Sequence, residues 1–170
     1  MTTEIDKHQA LSNSLEKVEH FLKLLNEPVN PKAVRQNQGQ AYLPISYIEA
    51  QLDRFFKGAW SCEVVSYQLL VDSLAVHVRL KVYLPGAGNI TRDGLGAVPV
   101  QLTKGSARTD FQNITMGAIQ RNLPAAKSFA LSNAAQSLGE QFGRNVVRKQ
   151  DQVPAAGYHK NEKINVSYED

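Results

Sequence analysis

Between residues 74 and 84 the chain alternates without a fault. Leu74, Val76, Val78, Leu80, Val82 and Leu84 are apolar, and Ala75, His77, Arg79, Lys81 and Tyr83 stand between them. Successive side chains of a strand point to opposite faces, so one face of this segment belongs to a core and the other is wet and basic. The preceding residues carry the same period from Ser61, with Val65, Tyr67, Leu69 and Val71 alternating up to Asp72-Ser73, a pair suited to a hairpin turn. Pro85-Gly86-Ala87-Gly88 predicts a second turn, and residues 89 to 102 a third strand. Gly94-Leu95-Gly96 interrupts that strand, where a missing side chain permits a bulge or a close backbone approach, and Pro99 marks it as an edge.

The sequence before and after these strands has helical periodicity. Leu11, Leu15, Val18, Leu22 and Leu25 form one stripe of an amphipathic helix over residues 4 to 26, which Pro28 and Pro31 end. This stripe packs on its own domain or on a neighbouring subunit. Residues 27 to 44 are polar enough to require a surface. A second helix starts at Ser46, which forms a capping box with Glu49; Ile48, Leu52, Phe55 and Phe56 supply its apolar face and Gly58 stops it. A basic loop, Lys104 to Asp110, leads into helical sequence with a break or restart at Asn122-Leu123-Pro124. Leu131, Ala135, Leu138 and Phe142 line one face of the last helix, which Gly143 interrupts or ends. The order helix, helix, three strands, helix predicts an α+β fold: a small antiparallel sheet of three or more strands with helices packed on one face. The expected organisation is an N-terminal amphipathic helix over 1 to 30, a domain over 31 to 149 and a flexible acidic tail over 150 to 170.

Composition narrows the chemistry. The chain has 19 Lys and Arg against 16 Asp and Glu, a net +3, but the charge is unevenly spread. Residues 1 to 30 carry −2, residues 31 to 103 carry +2, residues 104 to 149 carry +5, and residues 150 to 170 carry −2. A middle segment of net +7 between two acidic ends suits a polyanionic partner. The one cysteine, Cys62, excludes an intrachain disulfide and points to a reducing compartment, the cytoplasm. No apolar stretch reaches the roughly 20 residues of a membrane span, and the charged first thirty residues do not resemble a signal peptide. Catalytic signatures are missing. His8, His20, His77 and His159 lack metal-ligand spacing, and Gly94-Leu95-Gly96 has neither the third glycine nor the Gly-Lys-Ser/Thr of a nucleotide loop. No metal, cofactor or enzymatic activity is expected, and a nuclease would rest only on scattered carboxylates such as Asp93 and Asp110.

Three stretches carry a family resemblance. Tyr47-Ile48-Glu49-Ala50, followed by Leu52, Asp53, Gly58 and Trp60, resembles a Tyr-Ile-Glu/Asp helix that closes on a glycine and a tryptophan. Val76-His77-Val78-Arg79-Leu80 and Asp93-Gly94-Leu95-Gly96 are similar to a Val-Arg-Val/Leu strand and a Gly-x-Gly strand. Ala130-Leu131-Ser132-Asn133-Ala134-Ala135 through Phe142-Gly143 is similar to a last helix running to Phe-Gly. In this order, over residues 31 to 149, they resemble the Rad-fifty-two-like single-strand annealing proteins, including the phage recombination proteins called Sak. The resemblance implies a ring or spiral homo-oligomer that holds single-stranded DNA in a positive groove, backbone inward and bases presented for pairing, in recombination and repair. It implies a phage-encoded protein at work in the host cytoplasm, with a host or phage single-strand-binding protein or recombinase as a further partner. The chain departs from the family where an Asp and then a Lys-Arg pair are usual on the last helix, having Asn133 and then Gln136-Ser137.

Such a task requires cations along a groove and no acid, base or metal group. Arg35 matches the position of a family arginine in the DNA groove. The other candidate DNA contacts are Lys32 beside it, Arg79 and Lys81 on the wet strand face, Lys104 and Arg108 in the basic loop, Arg121 and Lys127 near Pro124, and Arg144, Arg148 and Lys149 after the last helix. A helix C-terminus also favours cations for structural reasons, which applies to the last three. Tyr42 and Tyr47 are expected to pack, with base stacking as the alternative, and Trp60 is expected in the core. Two competing functions remain open: a scaffold that coats or protects single strands without annealing them, and a metal-dependent nuclease.

Overall fold

The alternating segment from Leu74 to Leu84 lies at the centre of the sheet. The computed structural model describes residues 4–37, 39–70, 72–84, 88–105, 114–115 and 117–146. Helix α1 spans Glu4–Leu25, short strands β1 (Arg35–Asn37) and β2 (Gln40–Tyr42) pair as a hairpin, and helix α2 spans Ile45–Phe56. Strands β3 (Trp60–Leu70), β4 (Ser73–Leu84) and β5 (Gly88–Pro99) form an antiparallel sheet in the order β3-β4-β5. Helix α3 spans Ala118–Gln136. The fold is α+β, as the sequence predicts.

Six alternate residues of β4, Leu74 through Leu84, are buried. Ile48, Leu52 and Phe56 of α2 and Ala126, Ala130, Leu131, Ala134 and Ala135 of α3 pack against Val76 to Leu84 in one core, so the helices share one face of the sheet, and Leu74 joins a smaller cluster with Val100 and Ala118. Gly94 and Gly96 explain how closely α3 approaches. They sit opposite Val78 and Val76 in the register. A Cβ on Gly94 would overlap the Ala130 carbonyl oxygen and lie 2.6 Å from the Ala134 nitrogen; one on Gly96 would overlap the Ala126 oxygen and the Ala130 nitrogen. Of the two outcomes the sequence allowed, close approach occurs and a bulge does not, since β4 and β5 pair without a register shift from Gly88 to Pro99. Asn122 donates to the Pro99 carbonyl at 2.9 Å and Asn133 accepts the Leu95 N–H at 3.1 Å, pinning α3 along the edge strand.

Several local expectations are corrected. The Ser46–Glu49 capping box does not form. Pro44 takes the N-cap position, its carbonyl accepting from the Tyr47 and Ile48 N–H groups, so Ser46 already lies inside the helix and cannot fold back onto the N–H three residues on. The sheet does carry a bulge, but in β3, where the register shifts between Val64 and Ser66; Val65 therefore does not continue the alternation, and Val71 lies outside the described residues. Helix α3 runs through Pro124 unbroken. Pro124 is exposed, so the turn that loses a hydrogen bond there faces solvent. Helix α3 ends at Gln136, and Leu138 and Phe142 are buried beyond it, Phe142 in a 3₁₀ turn over Glu140–Phe142 closed by Gly143 at φ 84°. Of the α1 stripe, Leu25 is buried and Val18 packs on the core with Phe21, while Leu11, Leu15 and Leu22 stay exposed. The polar stretch before α2 is largely exposed, as its composition requires. It holds a 3₁₀ turn, Pro31–Ala33, and the β1–β2 hairpin. The tail over 150 to 170 lies outside the described residues.

Candidate nucleic-acid interface

The open face of the sheet is built by the residues that alternate with the core. His77, Arg79 and Lys81 of β4 are flanked across the register by Ser66, Glu63 and Ser61 of β3 and by Leu95, Asp93 and Thr91 of β5. Directly opposite residues share a face. Arg79 consequently donates to both Asp93 oxygens, at 2.9 and 3.2 Å, and Lys81 lies 3.5 Å from Glu63. His77 Nε2 stands 3.6 Å from Asp93. The two sequence candidates on this face are thus already balanced by carboxylates, which leaves them less positive charge to offer a phosphate.

The Arg79 hydrogen bonds hold the Asp93 carboxyl below its usual range, with a further downward pull from His77. A carboxyl depressed in the folded state adds stability above its unfolded pKa and loses that contribution as pH falls through that value toward the depressed one. Acid denaturation below about pH 4 should accordingly be less steep in Asp93→Asn than in the parent chain, read from Tm against pH.

The hairpin ahead of α2 presents a different arrangement. Arg35 and Tyr42 are directly opposite in the β1–β2 register, and both are exposed. Arg35 Nη1 donates to the carbonyls of Lys32, at 2.7 Å, and Val34, at 3.3 Å, which orients the guanidinium beside the 3₁₀ turn that carries Lys32. No carboxylate lies within ion-pair distance of Arg35 or Lys32 among the described residues. Two cations and an exposed aromatic ring thereby meet on one small surface, the pairing of groups that hold a phosphate and stack on a base. Tyr47 instead is half-buried, its hydroxyl pKa raised by desolvation against the pull of Arg54, and Trp60 packs beside the core while donating to Asp53 at 2.8 Å.

The other candidates are dispersed. Lys104 is exposed just after β5, and Arg121 on the first turns of α3 donates to Gln101 at 3.2 Å, so these two belong to one end of the helix. Lys127 is exposed on α3 beside Cys62, whose thiol pKa is raised by burial and only partly lowered by this ammonium. Arg144 has a structural role: it donates to the carbonyls of Gln136 and Ser137, at 3.3 and 2.9 Å, closing the C-terminus of α3, and to Asn26 at 3.3 Å. Arg108, Arg148 and Lys149 lie outside the described residues. Sequence reasoning passed over Arg92, an exposed cation at a β5 position opposite buried Leu80, and Arg54, which lies 5.3 Å from the centroid of the Phe55 ring. The signal for Arg92 was available, since it interrupts the inward-facing set Ile90, Gly94, Gly96 and Val98.

Among the described residues, no group of three or more His, Cys, Asp or Glu could hold a metal ion, and no helix is long and apolar enough to cross a membrane. No family model and no curated protein matches the chain.

Proposed function

We propose that this chain is a single-stranded DNA-binding and annealing protein of recombination and repair, working as a homo-oligomer without catalytic chemistry. The observation that carries this reading is the exposed hairpin that sets Arg35 across from Tyr42 beside Lys32. Support comes also from the net +7 of residues 31 to 149 and from the sequence resemblance over the same span. Phosphate contacts neutralise strand repulsion, the aromatic ring steadies a base face, and base edges stay free to pair. The cytoplasm of a host cell is the fitting location for a phage-encoded member, with a single-strand-binding protein or recombinase as a fitting partner.

Binding to a labelled oligonucleotide should weaken with salt at a slope of about −0.7 per phosphate neutralised. Arg35→Ala should lower that slope by about 0.7 and Tyr42→Ala should weaken binding without changing it, as expected for one ionic and one stacking contact. An unchanged slope in Arg35→Ala removes that residue from the interface.

A second reading, a scaffold that coats or protects single strands without annealing them, is favoured by the engagement of Arg79 and Lys81 with Asp93 and Glu63, which reduces the cations free to hold a strand. Tight binding with an unaltered rate of annealing selects it.

A further inference from the structure

Tyr47, Gln51 and Arg54 recur along α2 at intervals of four and three, so they share a face of that helix beside the one that buries Ile48, Leu52 and Phe56. They form one wall of a cavity of about 300 Å³, closed on its other sides by Leu24 of α1, by Glu27 just after it and by Gln141 of the 3₁₀ turn. That volume is at the lower end of the range for small-ligand sites, about 300 to 1,000 Å³. Phe55 completes the lining. Its ring is braced against Phe21 at 6.0 Å and Phe142 at 6.1 Å, so the apolar side of the cavity is held by the same aromatic cluster that joins α1, α2 and the end of the domain.

Two of the lining side chains are amides that folding has almost removed from water. Gln51 and Gln141 are each 8% exposed. Gln141 Nε2 donates to the Glu27 and Pro28 carbonyls at 3.0 and 3.1 Å, and Gln51 Oε1 accepts from Arg54 at 3.4 Å. The Gln141 oxygen and the Gln51 nitrogen have no hydrogen-bond partner among the described residues. Among those residues no fully buried side-chain nitrogen or oxygen lacks a partner, so these two atoms are reached by solvent, and the cavity they line is the way to them. One buried acceptor and one buried donor thus face the same small space. A ligand that pairs with both satisfies groups that are costly to leave unpaired.

Charge selects the ligand further. Arg54 has no carboxylate within ion-pair distance among the described residues, and its guanidinium lies 5.3 Å from the centroid of the Phe55 ring. A planar fork of N–H donors matches a carboxylate in two parallel hydrogen bonds. Desolvation keeps the Tyr47 hydroxyl protonated against the pull of Arg54, so it is a further donor at neutral pH. Glu27 in the same lining opposes a second negative charge. A single carboxylate therefore suits the cavity better than a phosphate monoester, or than a nucleic-acid strand that brings its charges in series. The Gln141 oxygen asks for an N–H beside that carboxylate, and Leu24 and Phe55 ask for an apolar group. The C-terminal residue of a polypeptide supplies all three on one carbon.

We propose that the cavity between α1, α2 and the 3₁₀ turn binds the C-terminal residue of a polypeptide with an apolar side chain, its carboxylate on Arg54, Tyr47 and Gln51 and its N–H on Gln141. The site is independent of strand binding, so its loss leaves the proposed function standing. The test follows the side-chain amide signals of Gln51 and Gln141 in ¹H–¹⁵N spectra of the full-length chain titrated with N-acetylphenylalanine. The expected result is a saturable shift of both signals, with N-acetylphenylalaninamide, which lacks the charge, binding about tenfold or more weakly, the worth of a hydrogen bond to a charged group. Arg54→Gln should weaken the acid by about the same factor and leave the amide unchanged, and Tyr47→Phe should weaken the acid a few-fold; unchanged thermal melts verify that these variants fold. The comparison of acid with amide on the parent chain needs no variant. Equal binding of the two, or no shift of either glutamine signal, overturns the proposal. 3-Phenylpropionate, which lacks the N–H, should bind a few-fold more weakly than N-acetylphenylalanine; equal or tighter binding would show a site for a free acid and overturn the assignment to a chain end. Inorganic phosphate or a short oligonucleotide that moves the same signals as readily as the acid would make this a phosphate site and overturn it as well.

Discussion

Gly94→Val should destabilise the protein by about 3 kcal/mol or more, near the upper end of the cost of overpacking. The branched side chain would be built into the Ala130 carbonyl and against the Ala134 nitrogen, both helix backbone, so no rotamer change relieves it. Either α3 lifts from the sheet or β5 bends away. For a chain of this size the loss corresponds to a fall in Tm of roughly 10 °C. Leu95→Val, between the two glycines and exposed, should change stability by no more than about 0.5 kcal/mol. Thermal melts of the pair check the point: equal Tm values would mean that the glycine contact does not set the helix–sheet distance.

Phe142→Ala should cost about 3 to 5 kcal/mol, the range for a fully buried aromatic truncated to a methyl. Phe142 is wholly buried, with its ring 6.1 Å from Phe55 and 6.4 Å from Phe56, and Phe21 of α1 meets those same two rings at 6.0 and 5.8 Å. The substitution therefore removes the common support of α1, α2 and the end of α3. Phe142→Leu, which keeps most of the volume, should cost about 1.5 kcal/mol or less. Urea titration separates the two through the midpoint, and indistinguishable midpoints would contradict the central place given to this ring.

How far the fold was legible follows from how local each signal is. The β4 alternation reads directly because one buried face forces a period of two. The meaning of Gly94 and Gly96 was half legible: missing side chains predict close approach or a bulge, and only the alanines at 126, 130 and 134, some thirty residues later, decide between them. The Ser46 capping box failed because a local motif competed with Pro44, whose carbonyl already starts the helix. The α1 stripe was legible as a stripe, but which of its leucines are buried depends on Phe55, Phe56 and Phe142, whose meeting no spacing encodes.

The candidate interface was legible in composition and less so in geometry. Arg79 and Lys81 fall on the wet face as the alternation requires, yet their partners Asp93 and Glu63 come from other strands and become neighbours only through the register. Arg144 looks like any basic residue after a helix, and its grip on the Gln136 and Ser137 carbonyls is visible only in three dimensions. The approach of Arg35 to Tyr42 needed the short hairpin, which a polar, pattern-free sequence does not announce.

The central claim is most directly tested by the rate at which two complementary single-stranded oligonucleotides become duplex at low salt with and without the purified chain. Strands relieved of mutual repulsion and held with bases exposed should pair faster than they do alone, with the acceleration falling as salt rises. A rate equal to the spontaneous one at protein concentrations that saturate the strands would contradict the annealing function.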